Sequence, residues 1–181
     1  MKTRKLATLS MLLAIALILA YVEALLPQPY PVPGMKMGLP NLAILLTILT
    51  IGSRDALMIS LLRIISVSVL FGTFLTPGFL ISLTGGLLSW AAMSLAVRKN
   101  LFGPLGLSIL GAAFHNVGQT VAAYLLMATA GVFYFLPWLI LASIPFGIIT
   151  GIPVYIIHSR NLFQYNRQRT RTGQPEEESK P

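Results

Sequence analysis

The stretch Asp55-Ala-Leu-Met-Ile-Ser-Leu-Leu-Arg63-Ile-Ile-Ser-Val-Ser-Val-Leu-Phe-Gly72 sets two demands against each other. As a helix it is long enough to cross most of a bilayer, and it places a guanidinium near the middle. A central Arg costs about 2.5–3.5 kcal/mol on insertion scales, and about ten Leu, Ile, Val and Phe neighbours return about 0.3–0.6 kcal/mol each. The segment still inserts, but it would insert better without Arg63. A charge that opposes its own helix in this way is expected to face a polar cavity between helices and to have a function there.

The rest of the chain carries the same signature. It has 181 residues, 55% hydrophobic and only 10% charged, with a mean hydropathy of +0.78. Soluble domains are closer to a quarter charged. The apolar runs predict six helices at about Leu6–Leu25, Leu39–Ile51, Ala56–Gly72, Phe74–Val97, Leu105–Ala130 and Phe133–Ile157. Such runs are too long for barrel strands, and only helices and closed barrels satisfy backbone groups in lipid. The expected fold is all-α: a polytopic bundle of six transmembrane helices over residues 1–159, followed by a polar, disordered cytoplasmic tail over 160–181. The second run is short. Either residues 35–38 help it to span, or its neighbours bury it.

Charge placement orients the bundle. Lys2, Arg4 and Lys5 precede the first helix, Arg54 follows the second, Arg98 and Lys99 follow the fourth, and Arg160, Arg167, Arg169 and Arg171 follow the sixth. The opposite loops carry only Lys36. With six spans, all basic clusters fall on one side, which predicts cytoplasmic termini and a multi-pass protein of the cell membrane. The net charge of +8 is therefore read as orientation and not as a nucleic-acid surface. A cleaved signal peptide ending near Val22-Glu23-Ala24 is the rival reading of the N-terminus. The run is too long for one, and cleavage would spoil the charge alternation.

Some chemistry is excluded. There is no cysteine, His occurs only at 115 and 158, and no carboxylate cluster lies within the apolar runs, so neither a metal site nor a cofactor is expected. The polar residues left over form a pattern. In the fifth run His115, Asn116 and Gln119 lie within one arc of about 100°. Counted from the basic ends, Arg63 and His115 reach similar depth. These groups either line one outward pocket or form an interhelical hydrogen-bond cluster, and the full charge on Arg63 favours the pocket. Ser60 and Ser66 flank Arg63, either lining the same pocket or bonding their own helix carbonyls. The proline-rich loop from Leu26 to Asn41 is a candidate lid, with Lys36 as a candidate ligand contact, Asn41 as either a ligand contact or a structural residue at a helix start, and Glu23 either paired with Lys36 or Arg63 or reaching interfacial water. Ala16, Ala20 and Ala24 repeat every fourth residue, the spacing of a close helix contact.

Pro33-Gly34-Met-Lys36-Met-Gly38-Leu-Pro-Asn41, Leu62-Arg63, Phe71-Gly72-Thr73-Phe74, Phe79-Leu-Ile-Ser82-Leu-Thr-Gly85-Gly86 and Gly111-Ala-Ala-Phe-His115-Asn116-Val-Gly118-Gln119 together resemble the Gx transporter family. The likeness covers about residues 6 to 158. That family also carries the label heptaprenyl diphosphate synthase component I, and its members look like the substrate-binding S-components of energy-coupling factor transporters. The resemblance implies a six-helix protein that binds a vitamin-like or isoprenoid molecule. Such a protein docks on a transmembrane subunit with two ATPases, and Ala16, Ala20 and Ala24 match the docking stripe. The implied ligand set is Lys36, Asn41, Arg63, His115, Asn116 and Gln119.

The synthase label implies instead a partner role beside a soluble prenyl synthase. Catalysis by this chain alone is not expected. Elongation needs aspartates to hold Mg²⁺, and the one Asp is Asp55. No Walker motif is present for ATP hydrolysis. A membrane enzyme with His115 as general base lacks a carboxylate clearly placed to orient it.

Overall fold

The computed structural model describes residues 2–25, 36 and 38–160, without the side chains of Lys2 and Arg4. The expected lid over 26–35 and the tail beyond Arg160 lie outside the described residues. Among the described residues the fold is all-helical. Helices α1 (Lys2–Leu25), α2 (Asn41–Thr50), α3 (Ser53–Leu70), α4 (Pro77–Arg98) and α5 (Pro104–Met127) are followed by a 3₁₀ turn (Ala130–Phe135) that runs into α6 (Leu136–Ser159). Each expected helix is present, and its ends lie within about four residues of the expectation. Pro77 and Pro104 each open a helix in the first turn, where the missing N–H has no helical partner to lose.

Three stretches are long and apolar enough to cross a membrane: Lys5–Leu25, Pro77–Arg98 and Ala130–Ser159. They mark the protein as membrane-associated. α3 and α5 have the length, at 18 and 24 residues, but α3 carries Arg54, Asp55 and Arg63, and the polar side chains of α5 lower its apolarity. α2 has only 10 residues, about 15 Å of helix. The outside is rich in exposed Leu, Ile, Phe and Trp, including Ile18, Leu70, Leu125 and Trp138, an exterior suited to acyl chains.

α2 explains its own shortness by its position. It touches all five other α-helices, and Ala43, Ile44, Leu45, Leu46 and Ile48 are buried in the main apolar core. Leu9, Leu12 and Ala16 from α1, Ala56 and Ile59 from α3, Met93 and Ala96 from α4, Leu107 from α5 and Val154 from α6 complete that core. These residues come from the basic ends of their helices. The same end is tied by polar contacts: Lys5 Nζ meets Asp55 Oδ1 at 2.8 Å, Trp90 Nε1 donates to Ser53 O at 2.8 Å, and Ser53 Oγ donates to Ser94 Oγ at 2.6 Å. The apolar half therefore fixes the helices in place, and the polar residues gather in the other half.

Ala16 and Ala20 are 0% and 3% exposed, so the stripe on α1 is used inside this chain, where α1 packs on α2 and α3; Ala24 is half-buried. At the other side of the bundle α5 packs closely on α6. A Cβ on Gly147 would lie 2.5 Å from Ile109 Cα, a backbone clash. Gly147→Leu is expected to lower stability by about 1–3 kcal/mol or more. Gly78→Ala, whose Cβ would meet only Thr76 Oγ1 at 3.8 Å, is expected to be near neutral. Thermal unfolding of both variants in matched detergent is the check.

Candidate functional site

The site begins where the chain stops being helical. Residues 38–40 lead into α2 without forming part of it, and the backbone N–H groups of Gly38 and Leu39 are turned in among helices. In an apolar bundle such groups need partners. Glu23, in the last turn of α1, supplies two: its Oε1 accepts from Gly38 N in a short hydrogen bond and from Leu39 N at 3.3 Å. Gln119 supplies a third, its Oε1 accepting from Lys36 N at 3.1 Å. The Glu23 carboxylate sits unfavourably for its own helix dipole but favourably for the N-terminal approach to α2. Gly38 adopts φ +86, and a Cβ there would lie 2.9 Å from Asn41 Nδ2 and 3.3 Å from the His115 ring. Only glycine fits both the backbone and the space.

Anchored in this way, Lys36 forms part of the wall of a cavity of about 110 Å³ between α3, α4 and the turn joining them. Arg63, Ser68, Thr73 and Ser82 supply the rest of its polar lining, with Ile64, Val67 and Phe79 as apolar wall. Ser68 Oγ donates to Ile65 O and Ser82 Oγ to Gly78 O, so both hydroxyls present their remaining lone pairs elsewhere. Phe71, Phe74 and Leu75 are exposed around Thr73, Phe74 packs on Phe79, and Tyr21 of α1 stacks on Phe71 at 5.8 Å.

Arg63 is 5% exposed, and its Nε and Nη2 are buried without a hydrogen-bond partner. It reaches α4 at Gly86, where a Cβ would lie 3.5 Å from Nη2. The adjoining Gly85 faces the other way, toward His115 and Gln119 of α5. This glycine pair thins α4, so that the guanidinium and the imidazole approach it from opposite sides. Glu23 is buried in the same part of the bundle and holds the segment that follows Lys36 through Gly38 and Leu39. Burial pushes the Lys36 ammonium below its ordinary pKa; Glu23 opposes that shift and Arg63 adds to it.

The structure divides the expected site residues into three groups. Arg63 and Lys36 line the cavity. Asn41, His115 and Gln119 form the layer behind Lys36 and Gly38 and do not line it. The Gln119 amide is oriented by its bond to Lys36 N, so its Nε2, 3.0 Å from His115 Nε2, is the donor of that pair. His115 then carries its proton on Nδ1, which has no partner. Asn116 points to α6, where its Nδ2 donates to Leu139 O at 2.9 Å and Ser143 Oγ at 3.0 Å.

Of the serines flanking Arg63, Ser60 is buried near Gly86 and Ser66 is exposed. Ser68 and Ser82 line the cavity in their place. Ser82 lies within a quoted motif, and Ser68 carried no distinguishing signal. Glu23 takes a larger part than its sequence position at a helix end suggested.

Residues 12–156 match the family model described as heptaprenyl diphosphate synthase component I. The chain belongs to this family. No curated protein and no solved structure matches it.

Two substitutions in this heptaprenyl diphosphate synthase component I family member separate the site from the scaffold. Gln119→Leu strands the Lys36 N–H, a loss of about 1–3 kcal/mol, and is expected to speed hydrogen exchange at Lys36. Asn116→Leu removes two interhelical bonds worth about 0.6 kcal/mol each and is expected to lower the unfolding temperature while leaving exchange at Lys36 unchanged.

Proposed function

We propose that this chain is a multi-pass membrane protein with both termini in the cytoplasm. It acts as the substrate-binding subunit of a transporter for a small molecule bearing an anionic group. One observation carries the reading. Arg63 lines a cavity beside Lys36, with two of its buried N–H-bearing nitrogens unsatisfied. A cluster of donors without acceptors is complementary to an oxyanion.

Arg63 and Lys36 meet the anionic group. Asn41, His115 and Gln119 hold the layer beneath it, and Asn116 fastens that layer to α6. The chain does no chemistry alone, and ATP-driven motion comes from partner proteins, as in the S-components it resembles. In the described arrangement, docking through Ala16, Ala20 and Ala24 requires α1 to part from α2 and α3.

A second reading has a specific observation behind it. The family's name points to heptaprenyl diphosphate synthesis, and Phe71, Phe74 and Leu75, exposed next to the cavity residue Thr73 in sequence, give an apolar surface suited to an isoprenoid tail. On that reading the chain is a non-catalytic membrane subunit that holds a prenyl diphosphate for a soluble partner.

Arg63→Gln is expected to weaken ligand binding by about tenfold to a hundredfold, the worth of a charge-assisted hydrogen bond, with assembly intact. Native mass spectrometry of the purified protein identifies the co-purified molecule whose loss is scored in the variant. Co-purification with an energy-coupling membrane subunit and ATPases supports transport; co-purification with a prenyl synthase supports the second reading. Equal ligand retention by wild type and Arg63→Gln removes both.

A further inference from the structure

Glu23 is 1% exposed, an acid inside the part of the bundle that holds Lys36 and Arg63. Among the described helices α1 packs on α2 and α3. α2 has no titratable side chain, and Arg63 is the charged group of α3 at this depth, since Arg54 and Asp55 sit at the opposite end. Lys36, on the segment before α2, is a further charge acting on Glu23. Tyr21 is the other titratable group on this end of α1, and its ring is stacked on Phe71. His115, on α5, is separated from α1 by the backbone at Gly38.

Charges held this close in a medium of low dielectric must nearly cancel. With Glu23 ionised, the cluster of one carboxylate and two cations has one positive charge to offer. With Glu23 neutral it has two. The hydrogen bonds from Gly38 and Leu39 survive either state, because a protonated carboxyl still accepts at one oxygen. The scaffold therefore tolerates both.

We propose that Glu23 sets the number of negative charges the cavity accepts: one when it is ionised and two when it has taken up a proton. Glu23 is thus a specificity-determining residue that acts through the field at Arg63 and Lys36 without touching the ligand. The proton comes from solvent, binds one carboxylate oxygen when a dianion enters, and leaves with it. This rests on the reading of the cavity as an anion site.

Fixed-charge probes test it. Methanesulfonate carries one negative charge and methanedisulfonate two, and neither titrates in the working range. The ratio of their affinities for the protein in nanodiscs is measured between about pH 5 and about pH 8, a range both probes cross without titrating. Glu23→Gln keeps the acceptor oxygen and removes the charge.

The variant is expected to favour the disulfonate by about tenfold or more over wild type at the alkaline end, and to converge with wild type at the acid end. Both proteins carry Lys36→Arg for this comparison, because Glu23 raises the Lys36 pKa and a guanidinium stays charged across the range. If both probes bind and the two proteins give the same ratio throughout, the proposal is overturned while the anion site stands. If neither probe binds wild type, the anion site itself fails.

Should Glu23→Gln not fold, infrared difference spectra of unmutated protein labelled at Glu carboxyl carbons decide the matter. They are taken at a pH where the free protein shows Glu23 ionised. Disulfonate is then expected to raise the protonated-carboxyl band and methanesulfonate to leave it unchanged; no rise with disulfonate overturns the proposal.

Discussion

A chain that leaves helical geometry inside an apolar bundle must find partners for its exposed N–H groups, and the arrangement of this protein turns on how it does so. Gly38 and Leu39 are held by Glu23 of α1, and Lys36 is held by Gln119 of α5. Each of these side chains lies far from its partner in sequence, so the contacts tie the first helix, the segment before the second and the fifth into one unit. Without them the segment would carry several unsatisfied donors, each costing several kcal/mol in a hydrocarbon setting. With them α2 can start deep in the bundle and still be fully surrounded after ten residues.

That geometry creates a division of labour along the helices. The half near the basic loops is packed with aliphatic side chains from all six α-helices. The other half holds Glu23, Asn41, Arg63, His115 and Gln119. Stability comes from the first half, which leaves the second able to hold groups that destabilise it. Buried donors without acceptors at Arg63, Asn41 and His115 are such groups. A core selected only for stability would replace them with apolar side chains of the same volume. Their presence beside a cavity is the physical ground for assigning the site a ligand.

The two helices that carry most of this polarity, α3 and α5, are long enough to span, and their charged or polar residues set them apart from the three apolar spans. α4 lies between them and is thinned by Gly85 and Gly86, so a guanidinium and an imidazole can sit on its two sides. Small residues here serve the approach of polar side chains to a backbone. At Gly147 they serve the approach of two backbones to each other.

Sequence alone established the helical class, the helix boundaries to within a turn, and the inward placement of Arg63. Each of these follows from local hydropathy and from the cost of a lone charge in lipid, which need no knowledge of neighbours. It also grouped His115, Asn116 and Gln119 on one arc. An arc of about 100° on a helix wedged between two others is wide enough to be shared. Tertiary packing sent Asn116 to α6 and Gln119 to the segment before α2. The alanine stripe of α1 showed that something packs closely there, and only the fold decided that Ala16 and Ala20 meet this chain's own helices. The role of Glu23 was equally beyond local reading. A carboxylate at a helix end looks solvated until the chain that follows folds back and presents its N–H groups, and that return depends on every helix being in place.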